Sequence, residues 1–279
     1  MGVGYALNHQ EIFIELGHLV NDFVNHLFGL EGRIAAVTGG GGYLCGEMSR
    51  GLAKAGCDVA VIDLRQEKAD VVAEEITAEY GKKAIGIGVD AANKAGMQAA
   101  LTRITAELGP VDIMINGAGI NAPTPFFDIE LDEFHAVMDS QITSTLIGCQ
   151  VFGAHMVANG KGSIINISSA SAGPPLSKAF AYSAAKAAIK NLTQNLGREW
   201  ATKGVRVNAI RPGFFPTEWN RKNFITPERE AAILGHTPMD RYGEVDELVG
   251  GIIYLASDAS TFVTGSELAV DGGFSAMTV

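Results

Sequence analysis

Ile34-Ala35-Ala36-Val37-Thr38-Gly39-Gly40-Gly41-Gly42-Tyr43-Leu44-Cys45-Gly46 is the stretch from which the rest of the chain can be read. Five β-prone residues lead into four glycines and then into a helical pattern, the order of strand, turn and helix that a dinucleotide site needs. Glycines let a backbone approach a pyrophosphate closely, and a helix start offers unpaired N–H groups and a positive dipole end. Alone, such a loop is a weak signal. It gains weight from Asp63, 21 positions after Gly42 at the end of a second apolar run, where a carboxylate can take the ribose hydroxyls of NAD and would repel an NADP phosphate. Arg65 is the one basic residue close by and reads most simply as a surface charge. The expected cofactor is therefore NAD, with NADP disfavoured but dual use left open; a purely structural aspartate is the blander alternative.

From Arg33 onward, short runs rich in Val and Ile alternate with longer helical patterns, as in a parallel sheet covered by helices. Seven strands are expected near Ile34 to Thr38, Asp58 to Asp63, Ala84 to Val89, Val111 to Asn116, Ser163 to Ser168, Val205 to Ile210 and Glu267 to Val270. The fold class is thus α/β: a Rossmann-type, doubly wound parallel sheet of about seven strands with helices on both faces. The domain spans 31–279, preceded by a helical extension over 1–30. In that extension Ile12, Phe13, Leu16, Leu19, Val20, Phe23, Val24 and Leu27 mark one face of an amphipathic helix interrupted by Gly17. It suits either packing on its own domain or docking on another subunit.

A chain of 279 residues with 47% hydrophobic content can bury a large core. Its net charge of −10 argues against a general nucleic-acid surface. Cys45, Cys57 and Cys149 form no CxxC step and have no nearby pair of histidines, so neither a metal site nor a disulfide framework is expected. No apolar run is long enough to span a bilayer, and no charged secretory start precedes Arg33. A soluble, cytoplasmic protein acting on small molecules is the expectation.

The chemistry is concentrated in Tyr182-Ser183-Ala184-Ala185-Lys186, with Ser169 upstream, after the fifth strand. On a helix, residues four apart share a face, so the Lys186 ammonium can sit beside the Tyr182 hydroxyl and favour its ionised form. A free phenol titrates near ~10, and bringing it to neutrality takes roughly 4 kcal/mol. One lysine alone falls short; the positive charge of an oxidised nicotinamide can supply more, while Ser169 holds the substrate oxygen. An isolated YxxxK step can also arise by chance on a solvated helix.

Taken with Asp90 after the third strand, Asn116-Gly117-Ala118-Gly119 after the fourth, and Pro212-Gly213 followed by Thr217, the chain resembles the classical short-chain dehydrogenase/reductase family over nearly all of residues 31–279. The resemblance implies a catalytic set of Ser169, Tyr182, Lys186 and an amide in the helix after strand four, where this chain reads Met138-Asp139-Ser140-Gln141-Ile142. Gln141 stands where the family has asparagine. It implies cofactor contacts from Gly39, Gly42, Tyr43, Leu44, Asp63, Leu64, Asp90, Ala91, Asn116, Ala118, Gly119, Tyr182, Lys186, Pro212, Gly213, Phe215 and Thr217. It also implies a homo-oligomer, tetramer or dimer. Cys45 departs from the family's third glycine, and a thiol there is expected to shift helix packing without abolishing binding.

Within the family, Pro175-Leu176-Ser177-Lys178, Pro212-Gly213-Phe214-Phe215, His236-Thr237-Pro238-Met239 and Asp271-Gly272-Gly273-Phe274-Ser275 resemble the D-mannonate oxidoreductase (fructuronate reductase) type, with gluconate and deoxygluconate dehydrogenases sharing much of the vocabulary. The expected reaction is interconversion of a secondary alcohol and a ketone on a hydroxy acid. Asn121 and Lys178 are candidate substrate contacts, with a lid over Trp219 to Gly235. A noncatalytic NAD-binding sensor or scaffold is the alternative, supported by Gln141 and opposed by the intact Ser169, Tyr182 and Lys186.

Overall fold

The computed structural model describes residues 22–174, 176–217, 221–222 and 225–277. Most of the expected N-terminal helix therefore lies outside the described residues, as do Pro175 and parts of the expected lid. The strands are β1 (Ile34–Thr38), β2 (Asp58–Asp63), β3 (Ala84–Gly88), β4 (Ile113–Asn116), β5 (Gly162–Ile167), β6 (Val205–Pro212) and β7 (Glu267–Val270). All pair in parallel, in the order β3-β2-β1-β4-β5-β6-β7. The principal helices are α1 (Tyr43–Lys54), α2 (Gln66–Tyr80), α3 (Lys94–Glu107), α4 (Leu131–Met138), α5 (Ser144–Asn159), α6 (Phe180–Trp200), α7 (Pro227–Gly235) and α8 (Val249–Ala256).

Burial on both sides explains the unbroken apolar runs, because successive strand residues point to opposite faces and both faces are covered. Val37, Val59, Val61, Ile113 and Ile115 pack with Leu52, Ile76 and Leu255 on one side. Ala36, Ala60, Ile62 and Met114 pack with Met97, Ile104 and Phe152 on the other. Each large aliphatic side chain so buried contributes about 1.5–3 kcal/mol.

Strand ends differ from expectation where a hydrogen bond leaves the ladder. The Val111 N–H donates to His155 Nε2 (3.1 Å), so β4 begins at Ile113 and not at Val111. Arg211 and Pro212 find partners in Ala269 and Val270, which extends β6 beyond Ile210.

β1 pairs with β2 on one side and β4 on the other, so chain direction across the sheet reverses there. Open α/β sheets hold ligands at the carboxyl ends of strands at such a point. Thr38 lies opposite both Ile62 and Asn116, which gathers Asp63, the glycine run and the turn after β4 around one crevice.

Residues 22–28 are helical, and just beyond them the buried Leu30 donates its N–H to the Ala55 carbonyl (3.0 Å). Phe23 and Val24 are exposed. Among the described residues, no helix is long and apolar enough to cross a membrane.

Candidate active site

The glycine turn is built so that side chains would fill it. Gly39 has φ +68, a left-handed backbone that favours glycine, and a Cβ there would meet the Gly117 carbonyl at 3.0 Å. A Cβ on Gly41 would lie 2.6 Å from Lys68 Cβ. Gly42 caps α1 without a side-chain hydrogen bond, and the first turn of α1 carries no acidic residue. The helix start is thus left with free donors, which fits a pyrophosphate.

Asp63 spans the turn from below. Its carboxylate accepts from Gly41 N (3.2 Å) through one oxygen and from Arg65 N (3.1 Å) through the other. These bonds hold the carboxylate at the end of β2, where ribose hydroxyls would meet it. Leu64 beside it is exposed. Farther along, the exposed Asp90 accepts from Ala92 N (2.9 Å), and Ala91 is buried.

The opposite wall hangs on Thr38, whose buried hydroxyl donates to the Ile115 carbonyl (3.2 Å) and accepts from Gly117 N (3.0 Å) and Ala118 N (3.4 Å). Replacing Thr38 with valine keeps the shape and orphans those N–H groups. A loss of about 1–3 kcal/mol is expected in a denaturant titration, together with weaker NADH binding; unchanged stability would show that the hydroxyl holds nothing. Asn116 is buried below and donates to Asn166 Oδ1 (2.9 Å), which passes the chain to Thr193 Oγ1 through its own amide (2.9 Å).

Cys45, in the family's third-glycine position, is buried and directs its thiol to the Gly117 carbonyl (3.8 Å). Burial pushes its pKa up to about 12, which keeps it a neutral donor. A Cβ on Gly117 would collide with the Cys45 sulfur. The thiol is accommodated because its neighbour is glycine.

Of the two residues after Gly42, Tyr43 is exposed and Leu44 packs against the core. At the far end of the crevice Gly213 donates to the Val270 carbonyl (2.9 Å) directly after the buried Pro212. Phe215 turns its ring onto Gly243 and the core. Any cofactor contact from Phe215 would therefore use its backbone. Thr217 accepts from Arg221 N at its carbonyl (2.9 Å).

The reacting group is assembled by α6. Ala181, Ala185, Lys186, Ile189, Thr193 and Gly197 form its buried face, a spacing that carries Lys186 inward with the small residues. The Lys186 ammonium lies 5.4 Å from the Tyr182 ring centroid and donates to the Ile167 carbonyl at the end of β5 (2.6 Å). Ser169, two residues after β5, is buried and close enough to the Tyr182 phenol to lower its pKa. Serine, tyrosine and lysine thus lie together near the end of β5.

Their electrostatics differ from the expectation that Lys186 lowers the Tyr182 pKa. Burial raises the phenol, and Ser169 only partly opposes it. Burial also pulls Lys186 down to about 8, with the nearby Cys45 opposing. Desolvation is the leading cause for each group.

Gln141 sits in a single π turn, Asp139–Thr143, between α4 and α5. Such turns often mark functional sites. Its amide donates to the Ile120 carbonyl (2.9 Å) and presses against Gly119, so the side chain braces the loop after β4. Its buried Oε1 has no partner among the described residues. The sequence also left unremarked Ser171, whose hydroxyl lies 3.1 Å from Ser169 Oγ; a Ser-x-Ser step at the end of β5 is the signal that could have found it. Asn121 and Lys178 are both exposed, and Lys178 has φ 55, a left-handed conformation uncommon outside glycine.

Residues 44–275 match the family model described as Enoyl-(Acyl carrier protein) reductase. The chain belongs to the short-chain dehydrogenase/reductase family. A 2-dehydro-3-deoxy-D-gluconate 5-dehydrogenase of Formosa agariphila is 37% identical, over 88% of this chain and 94% of that protein. A gluconate 5-dehydrogenase from Burkholderia cenocepacia, solved with NADP and tartrate, is 36% identical with a TM-score of 0.86, covering 91% of this chain and 99% of that one. The structure described as a D-mannonate oxidoreductase from Haemophilus influenza, with bound NAD, is also 36% identical, with a TM-score of 0.84 over 91% of this chain and 98% of that one. This short-chain dehydrogenase/reductase is accordingly an oxidoreductase of alcohols and ketones with sugar-acid dehydrogenases among its relatives.

Proposed function

We propose that the chain interconverts a secondary alcohol and a ketone on a sugar acid of the D-mannonate/D-fructuronate kind, using NAD(H), as a cytoplasmic homo-oligomer. The observation that carries the chemistry is the convergence of Ser169, Tyr182 and Lys186 beside an uncapped helix start. A bound nicotinamide dinucleotide supplies the hydride donor or acceptor. Gly39 to Gly42 would hold its pyrophosphate, Asp63 a ribose and Lys186 the nicotinamide ribose. In reduction, Ser169 holds the substrate oxygen by a hydrogen bond while the Tyr182 hydroxyl gives it a proton; in oxidation the phenolate takes that proton back. Asn121 and Lys178 are the proposed substrate contacts, Lys178 for a carboxylate. A gluconate-type substrate is the second reading, favoured by the relatives named above.

A substrate panel separates these readings. Consumption of NADH and NADPH is followed with fructuronate, tagaturonate, 5-ketogluconate and simple cyclic ketones. NADH with fructuronate should give the highest kcat/KM, with NADPH at least about tenfold poorer because Asp63 opposes a 2′-phosphate. Preference for 5-ketogluconate would select the second reading, and equal use of both cofactors would remove Asp63 as a discriminator.

A further inference from the structure

We propose that Ser171 is a positioning residue that fixes the direction of the Ser169 hydrogen bond, so that the one Ser169 proton faces the reacting groups, given to the substrate oxygen when that is bound and turned toward Tyr182 when it is not. The inference rests on the proposed proton-transfer role of Ser169 and Tyr182. A hydroxyl has one proton to give and two lone pairs to receive. Ser169 Oγ accepts from the Ser171 backbone N–H at 3.2 Å, and the Ser171 hydroxyl lies 3.1 Å from the same oxygen. The N–H can only donate. With the second contact also donating, both lone pairs are filled, and the Ser169 proton is left to point toward the phenol.

Local structure holds this arrangement in place. Ser169 caps the short helical turn Ala170–Ala172, and the Ala172 N–H returns to the Ser169 carbonyl (2.9 Å). Ser171 is 2% exposed and Ser169 8% exposed, so bulk water does not compete for either hydroxyl. In a buried chain of hydroxyls each donor polarises the next. Ser171 therefore makes Ser169 a better donor to a phenolate or a developing alkoxide. The charged group facing the phenol is Lys186, one turn along the same helix, and from the end of β5 the phenol meets the uncharged Ser169. A change at Ser171 alters the donor without altering that charge.

The test compares Ser171→Ala, Ser171→Thr and Ser169→Ala, singly and with Ser169→Ala and Ser171→Ala combined, in kcat, KM and the pH profile of alcohol oxidation. Ser171→Ala should lower kcat by about fivefold to tenfold with little change in KM. It should move the alkaline rise of oxidation upward by roughly half a pH unit. Ser171→Thr, which keeps the hydroxyl, should restore both. In the Ser169→Ala background, the Ser171→Ala loss should vanish, since the effect travels through Ser169. A loss that persists there, or that threonine fails to rescue, overturns the proposal, as does an unshifted profile. If Ser171→Ala does not fold, Ser171→Cys takes its place, with a smaller upward shift expected and an unchanged profile counting against. Ultraviolet titration of the tyrosinate in the cofactor-free protein, taken against Tyr182→Phe, should show the same upward shift in Ser171→Ala. An inactive role for Tyr182 would appear separately, as full turnover in Tyr182→Phe.

Discussion

Tyr182→Phe should lose about 10²–10⁴ in kcat while binding NADH within about twofold of the parent, because the change removes one hydroxyl and little else. The ring of residue 182 stays beside Lys186, and the glycine turn, Asp63 and the Thr38 anchor lie on other elements. Only the proton carrier goes. Steady-state rates with saturating ketone, set against fluorescence titration with NADH, separate the two quantities; undiminished turnover would sink the assignment of Tyr182. The parent should also reveal the phenol through pH. Burial raises the Tyr182 pKa, so the neutral, proton-giving form prevails at neutral pH and suits ketone reduction. Alcohol oxidation needs the phenolate and should quicken as pH rises toward the alkaline range. The quickening should be missing from the residual rate of Tyr182→Phe.

Why the phenol needs its cofactor was only half legible in the sequence. The spacing of Tyr182 and Lys186 foretold a shared helix face, since that depends only on helical geometry. It could not foretell that the same face is the buried one, with Ala185 and Ile189 beside Lys186, so that desolvation would dominate the Lys186 pKa. Burial is a property of the packed sheet and not of the five residues. The positive charge that an oxidised nicotinamide would bring beside this pair is therefore not an extra: without it the phenol stays protonated at neutral pH.

Gln141 illustrates the same limit. Its amide could be placed near the site from its position after strand four, but its direction is set by the widened π turn and by the missing side chain at Gly119. Both are tertiary facts. The approximate strand positions were likewise foreshadowed by alternating apolar runs, whereas the start of β4 was not, because the Val111 N–H goes to a histidine 44 positions away. Cys45 was legible as a tolerated departure because a thiol is small; its contact across the crevice with Gly117, whose missing side chain makes room for the sulfur, was not.

Lys186→Met should abolish most turnover and at the same time make the protein more stable at pH 7. A buried ammonium whose pKa falls from 10.5 to about 8 is held in the folded state against its preference, at a cost of about 3 kcal/mol. Methionine fills a similar volume without charge, but leaves the Ile167 carbonyl without its donor, a loss of about 1 kcal/mol. The net expectation is a gain of about 1–2 kcal/mol, or a few degrees in Tm for a chain of this size. Its pH dependence fixes the cause. Below pH 8 lysine is protonated in both folded and unfolded chains, and the full penalty applies. Between about 8 and 10.5 the unfolded chain holds more protons than the folded one, so the parent's stability rises with pH. The advantage of Lys186→Met should therefore shrink through that window, with activity lost at every pH. A variant less stable than the parent by a constant amount from pH 7 to 10 would mean that Lys186 is held there by its contacts and not against its charge. In that case Lys186 would carry its charge beside Tyr182 without penalty, and the phenol would not depend on a bound cofactor for its ionisation.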